Sequence, residues 1–287
     1  MSFQIVTDTG CDFSAEQYRA LGLTAVPMNI TFRGAPLQDY SDQTLKELYA
    51  AFRKGETPAT TAAANPAQWE SAITPILSRG EDVLVLTFSS ALSTTYSCAV
   101  IAAENLKEQF PDRQILVVDS LCASMGQGLL VYYVCRKRDS GATLARCADY
   151  AEEIKGSLCH WFTVEDLLFL KRSGRLSSAA AYLGAMLHIQ PVLHMDDAGH
   201  LVSVSKVRGR RSAIQALAEK LAQTGLPGEN ETVFLCHGDC PEDARLLADL
   251  LKEKYGVKEV VTRCIGAAIG VHSGPGTLAI FYLGKER

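Results

Sequence analysis

The sequence predicts an α/β protein of two domains, an amino-terminal three-layer domain built on a parallel sheet and a carboxy-terminal domain with a mixed sheet. Three observations predict it. Continuous apolar runs at residues 3–7, 83–88 and 115–118 alternate with helical patterns, which marks strands covered by helices on both faces. The second half instead carries two strand-like runs, 193–195 and 201–207, around the turn sequence Asp196-Asp197-Ala198-Gly199, a hairpin that a purely parallel sheet does not contain. The length of 287 residues suffices for two ordinary domains. The boundary is placed near Lys155-Gly156, giving domains 1–156 and 157–287.

Along the first half, the strand at 3–7 runs into an acidic turn, Asp8–Asp12. Ser14 and Gln17 stand at capping-box spacing before a short helix. Ser41 caps a helix with Leu45, Leu48, Tyr49 and Phe52 on one face, and Gly55 stops it. Asn65-Pro66 puts a capping side chain before a proline at the first helical position. Ser93 opens a further helix, and the strand at 115–118 ends in Asp119-Ser120. Along the second half, Thr163 and Asp166 are spaced to cap a helix ending at Lys171-Arg172-Ser173-Gly174-Arg175, and a small-residue helix follows over 179–187. Ile214, Leu217, Ala218 and Leu221 form one helical stripe; Ala244, Leu247, Ala248 and Leu251 form another. Residues 232–236, 259–264 and 277–283 read as strands.

Composition narrows the function classes. A net charge of -4 argues against a general nucleic-acid binder, which needs a basic face. The nine cysteines are dispersed and contain no Cys-x-x-Cys pair, so a reducing, cytoplasmic location is expected and a disulfide framework is not. The amino terminus enters a strand-like run without the pattern of a signal peptide. Two uncharged stretches, 176–195 and 264–284, approach the length of a membrane span, but glycine and proline interrupt them. They are read as buried interior, with no integral membrane segment and with something apolar to house.

In an open parallel sheet the ligand sits at the carboxyl ends of the strands. Thr7-Asp8, Ser89-Ser90 and Asp119-Ser120 all follow strands and are expected to converge on one crevice. Ser89, Ser90, Ser93, Thr94 and Thr95 cluster where a strand meets a helix start. Such a start binds anions, although Ser93 equally serves as a helix cap. The loop around Thr60 and Thr61 offers hydroxyls before another helix, with turn chemistry as the simpler reading. Between Gly266 and Gly276, glycines let the backbone approach a ligand, Gly274 and Gly276 among them, and His272 offers a ring N–H; a structural histidine is the alternative. Lys171, Arg172, Arg175, Lys206, Arg208, Arg210 and Arg211 form two basic clusters, either a solvated face or a site for phosphoryl charge. Cys236-His237-x-x-Cys240 lacks a fourth ligand for a zinc site. There is no nucleophile elbow, Walker loop or dinucleotide fingerprint.

Taken in order, these residues resemble the DegV family, the acyl-binding subunits of bacterial fatty acid kinase. The resemblance runs through Val6-Thr7-Asp8-Thr9, the Thr61 loop, Ser89-Ser90-Ala91-Leu92-Ser93-x-Thr95-Tyr96 and Val118-Asp119-Ser120. It continues through Leu170-Lys171-Arg172-Ser173-Gly174-Arg175-Leu176, Gln190-Pro191-Val192-Leu193, Lys206-Val207-Arg208-Gly209-Arg210 and His272-Ser273-Gly274-Pro275-Gly276. Three steps depart from the family pattern. Its Thr-Ser-Gln-Pro-Ser loop reads Thr61-Ala62-Ala63-Ala64-Asn65 here, Gly-Gly-Arg reads Ser173-Gly174-Arg175, and Ser-Gly-Thr reads Ser93-Thr94-Thr95. The first removes a hydroxyl beside the head group.

The resemblance implies a lipid bound between the two domains. It implies that Thr61, Ser93 and His272 hold a long-chain fatty acid by its carboxylate, with Thr95, Asp119, Ser120, Gly274 and Gly276 nearby. It further implies a partner, the ATP-binding fatty acid kinase subunit, toward which Arg175, Arg208 and Arg210 are assigned. On this reading the chain is not itself an enzyme. It needs no cofactor or metal and carries its ligand for acyl-phosphate formation. The rival readings are a carrier of another amphiphilic carboxylate and a serine hydrolase using Ser93 and His272.

Overall fold

The computed structural model describes residues 2–37, 41–56, 59–176, 189–285 and 287. Strands β1 (Phe3–Asp8), β2 (Leu23–Val26), β6 (Asp82–Thr87) and β7 (Ile115–Asp119) form one parallel sheet in the order β2-β1-β6-β7. Between β2 and β6 lie β3 (Asn29–Phe32), β4 (Ala35–Pro36) and β5 (Thr60–Ala62), a small antiparallel sheet ordered β4-β3-β5. The sequence reading assigned no strand there, and β5 is the segment it took as a loop. Three residues in small side chains carry no alternation long enough to be read, and β5 exists because β3 pairs with it.

Alternation within the parallel sheet separates two cores. Val6, Val83 and Val85 pack against α3 (Pro66–Ser78) and α4 (Thr95–Gln109). Ile5, Leu84 and Leu86 face the other way, toward α5 (Met125–Asp139) and α6 (Leu144–Lys155). The sequence reading assigned neither α5 nor α6. Apolar residues surround much of α5, with Met125, Leu129, Leu130, Val131, Val134 and Cys135 all buried. A helix buried on all sides shows no amphipathic period, and the first half of α5, residues 125–131, is buried throughout because it lies between the two large sheets, with β8, β11 and β13 below.

The second large sheet has the order β10-β9-β8-β13-β11-β12, from β8 (Leu158–Thr163), β9 (Ile189–Met195), β10 (Leu201–Arg208), β11 (Thr232–His237), β12 (Glu259–Cys264) and β13 (Leu278–Leu283). β11 and β12 are parallel and every other neighbouring pair is antiparallel, so the sheet is mixed. One face, with Trp161, Leu235, Ile280 and Tyr282, packs on α8 (Arg210–Thr224) and α9 (Pro241–Tyr255). On the other face the register aligns His160 with Phe281, Phe162 with Ala279, and Ala279 with Cys236.

The helix starts follow the sequence with two exceptions. Ser14 and Asn65 form capping boxes with Gln17 and Gln68, and Ser41 accepts from the Thr44 N–H. Thr163 is instead the last residue of β8; the helix after it, α7 (Leu168–Arg172), is met by Asp166, whose Oδ1 accepts from the Leu168 N–H at 2.8 Å. Ser93 precedes α4 by two residues, and its Oγ accepts from the Thr95 N–H at 3.3 Å. The expected helix at 179–187 lies outside the described residues.

Candidate ligand site

Between the two large sheets lies a cavity of about 530 Å³, within the range of small-ligand sites. Phe88, Ser90, Leu92 and Ser93 bound it at the carboxyl end of β6, with Thr61 of the small sheet and Met28 just before β3. His160, Phe162, Ala279 and Phe281 form its wall on the mixed sheet. Ile265, Ala268, Ile269 and His272 complete it. Ala268, Ile269 and His272 stand on α10 (Ala267–Ser273), with His272 at i+4 and i+3 from the other two and so on their face of the helix, and Ile265 precedes it. The lining is mostly hydrocarbon; Thr61, Ser93, His272 and Arg175 form its polar rim, and Ser124, His160 and Thr277 add polar groups elsewhere in the wall.

Thr61 and His272 meet across the cavity rim, Oγ1 to Nε2 at 2.6 Å. Burial, assisted by the nearby Arg175 guanidinium, pushes the His272 imidazolium down to about 4. The ring is therefore neutral at pH 7, with one nitrogen carrying a proton and the other a lone pair. Ser93 Oγ lies 2.8 Å from Thr95 Oγ1. Because Ser93 Oγ already accepts the Thr95 N–H, a hydrogen bond accepted from Thr95 leaves its own O–H to donate. The rim thus offers neutral donors and one half-buried cation, an arrangement that satisfies a carboxylate without a full ion pair. A buried carboxylate without such partners is very costly.

The remaining sequence candidates occupy other places. Thr95 is fully buried behind Ser93. Asp119 Oδ1 accepts from the N–H groups of Ser90 and Leu121, both at 3.1 Å, and the buried Ser120 hydroxyl bonds within its own loop, to Cys122. These two residues shape the loop and do not line the cavity. Gly274 and Gly276 direct their N–H groups to Gly270 O and Gly238 O, so neither donates to the cavity. Their glycines serve close packing at positive φ: a Cβ on Gly274 would lie 2.5 Å from the Phe169 ring, and one on Gly276 would strike Glu165.

The basic residues also divide. Arg175, assigned to a partner face, stands in the cavity wall, with Nε 3.4 Å from Leu92 O. Arg210 is held internally, its Nε 2.7 Å from Asp243 Oδ2, because α8 and α9 pack side by side. Arg208 is exposed on β10. No hydrogen bond joins Ser93 to His272 among the described residues; each meets a threonine instead, so the nucleophile–base contact of a serine hydrolase is not formed. No group of metal-ligating side chains is found among the described residues, and His237 Nδ1 instead accepts from the Cys240 N–H at 3.3 Å. No helix among them is long and apolar enough to cross a membrane.

Sequence reasoning missed the inner wall. His160 is buried, and burial first, with Arg287 nearby, holds its imidazolium well below the ordinary value. Its Nδ1 donates to Leu158 O at 2.8 Å, and its Nε2 faces the Ala123 N–H at 3.4 Å. An isolated histidine in an apolar strand gives no sign of which face it takes; the β8–β13 register decides that.

Fold and cavity together define an α/β protein of two large sheets and one small one, with an interior site that is mostly apolar and carries a polar cluster at Thr61, Ser93, His272 and Arg175. The family model described as "uncharacterised protein, DegV family" matches residues 2–285. The chain belongs to the DegV family. A DegV domain-containing protein of Clostridium perfringens is 38% identical over 287 residues, covering 99% of this chain and 98% of that one. Among solved structures, a DegV family protein of Thermus thermophilus described for its fatty acid binding is 28% identical, with a TM-score of 0.88 over 99% of this chain and 100% of that one. A DegV lipid-binding protein of Thermotoga maritima is 26% identical, with a TM-score of 0.86 over the whole of both chains.

Proposed function

We propose that the protein binds one long-chain fatty acid in the inter-sheet cavity and presents its carboxylate to a separate ATP-dependent kinase subunit. The observation that carries the binding half is the Thr61–His272 pair at the rim of a mostly apolar cavity, with the imidazole kept neutral. The descriptions of the Thermus and Thermotoga relatives, as fatty-acid-binding and lipid-binding, support it. Each buried methylene contributes about 0.8 kcal/mol, so the acyl chain supplies most of the affinity and the rim supplies orientation. Ser93 donates through its hydroxyl, and the Thr61–His272 pair, whose mutual bond uses one of its two protons, donates the other, while Arg175 balances the charge. Arg208, exposed on β10, faces the partner. The division into domains 1–156 and 157–287 belongs to the same reading, each carrying one large sheet.

Denaturing extraction of the purified protein followed by mass spectrometry of the organic phase tests the ligand. A stoichiometric fatty acid is expected. A different amphiphilic acid, or no lipid above background, would reject the reading. The kinase half is tested by adding the candidate ATP-binding subunit and following formation of the acyl phosphate.

A further inference from the structure

We propose that Asp12 is a positioning residue for the head-group site: its carboxylate seats the start of α10 and thereby fixes where His272 stands at the rim. The proposal deepens the fatty-acid reading above and rests on it for its functional meaning.

Asp12 is only 6% exposed and follows the 3-10 turn Thr9–Cys11 that ends β1. Its Oδ1 accepts from the Gly266 N–H at 3.0 Å, the residue before α10. Its Oδ2 accepts from Ser124 Oγ at 2.5 Å, the residue before α5. One carboxylate therefore joins three segments around the cavity, and His272 follows six residues along α10, roughly 9 Å away at the helical rise. Both Asp12, left-handed at φ 56, and Ser124, at φ 55 and ψ -145, hold positive-φ backbones. Such conformations persist in non-glycine residues where the surroundings impose them, and they cluster at functional sites.

The sequence of α10 is cut to this seat. Gly266 has φ -67, so no backbone requirement selects glycine there. A Cβ on it would lie 2.6 Å from Asp12 Oδ1. One turn on, a Cβ on Gly270 would lie 2.5 Å from the Tyr49 hydroxyl, which itself donates to Ile265 O at 3.0 Å. Carboxylate and phenol together grip the first turn of the helix.

The seat is sensitive to protons. Burial raises the Asp12 carboxyl to about 7, against the bonds from Ser124 and Gly266. The titratable groups around it are Asp8 on β1, Cys11 in its own turn, Tyr18 on α1 (Ala15–Ala20), Tyr49 on α2 (Asp42–Arg53), Cys236 on β11 and Arg263 on β12. Arg263 is the cation among them. As pH falls through neutrality the carboxylate takes a proton, its grip on Gly266 and Ser124 weakens, and ligand affinity falls.

The test measures the dissociation constant of cis-parinaric acid, a fluorescent fatty acid, from about pH 5.5 to about 8.5 in the parent protein, Asp12→Asn and Ser124→Ala. The same ligand is used throughout, so its own ionisation cancels between proteins. The parent is expected to lose about tenfold in affinity on acidification relative to Asp12→Asn. In Ser124→Ala, which lacks a bond favouring the carboxylate, the midpoint moves to higher pH. Asp8, raised by burial to about 6, is intact in both variants, so pH dependence remaining in Asp12→Asn contains its titration and that of the ligand and is not counted toward Asp12. Identical profiles in parent and Asp12→Asn overturn the proposal. If Asp12→Asn does not fold, an unmoved midpoint in Ser124→Ala overturns it. Hydrogen exchange of the Gly266 amide in ligand-free protein decides the case without a ligand: protection that does not fall in the parent as Asp12 titrates, or falls with the same midpoint in Ser124→Ala, refutes the seat. Failure of all three proteins to bind the acid at any pH would instead reject the fatty-acid reading.

Discussion

Thr61 and His272 stand 211 positions apart in the chain and 2.6 Å apart in space. The contact closes the rim of the cavity from two sides, a short strand of the small sheet and the last turn of α10. Removing the hydroxyl leaves a buried imidazole nitrogen without its partner, a loss of about 1–3 kcal/mol. Thr61→Val is therefore expected to weaken fatty acid binding by roughly tenfold or more. Titration with a fluorescent fatty acid checks this, and an unchanged dissociation constant would exclude Thr61 from the head-group site.

Arg175 lies close enough to depress the His272 imidazolium. In Arg175→Ala that contribution disappears while burial, the larger cause, stays. The His272 pKa is expected to rise but to remain below the ordinary 6.5. An NMR titration of the ring measures it directly, and a value unmoved by the substitution would separate the two residues.

Gly270 faces the Tyr49 hydroxyl at a distance that leaves no room for a methyl group. Gly270→Ala is expected to lift α10 from its seat, lowering both stability and ligand affinity. Tyr49→Phe removes the obstructing oxygen, so the double variant is expected to recover part of the loss. Additive effects in chemical denaturation would mean that the two sites do not communicate.

Buried groups set the pH dependence of stability in opposite directions. Asp8 and Asp12 are raised to about 6 and about 7 from 3.8. Between the unfolded and folded values the folded state binds more protons, so these two stabilise on acidification. His194 and His272 are lowered to about 4 from 6.5. Between those values the unfolded state binds more protons, and they destabilise on acidification. Asp12→Asn, which removes one ionisable group of the first kind, is expected to raise Tm most at about pH 8, with the gain shrinking toward about pH 5. A gain that grows on acidification would contradict the raised Asp12 value.

Arg208 and Arg210 lie two residues apart, and their substitutions are expected to behave differently. Arg210→Ala breaks the link between α8 and α9 through Asp243 and lowers Tm. Arg208→Ala changes stability by no more than about 0.5 kcal/mol and, on the proposed function, lowers acyl phosphate formation with the proposed kinase subunit. Equal thermal shifts for both would remove the distinction.

Much of the fold is written in local pattern. The capping residues Ser14, Ser41 and Asn65 act as their spacing indicates, and the apolar runs of β1, β6 and β7 form a parallel sheet. These features depend on residues within a few positions of one another, which a chain shows directly. The small sheet and α5 are not legible in this way. β5 takes its conformation from β3, and the first half of α5 takes its all-round burial from two sheets closing on it.

The candidate site divides along the same line. By itself the sequence marked Thr61, Ser93 and His272 as members of hydroxyl- and glycine-rich segments and read those around Thr61 and His272 as loops; the structure puts Thr61 in β5 and His272 in α10. Tertiary structure alone decided which of them meet: Thr61 pairs with His272, Ser93 with Thr95, and Arg210 is spent on Asp243. It also decided that Asp119, Ser120, Gly274 and Gly276 serve the frame, and that His160 faces the cavity. A side chain's type and local period are properties of the chain. Its partner depends on which strand lies beside which, and that is fixed only when the sheets pair and pack.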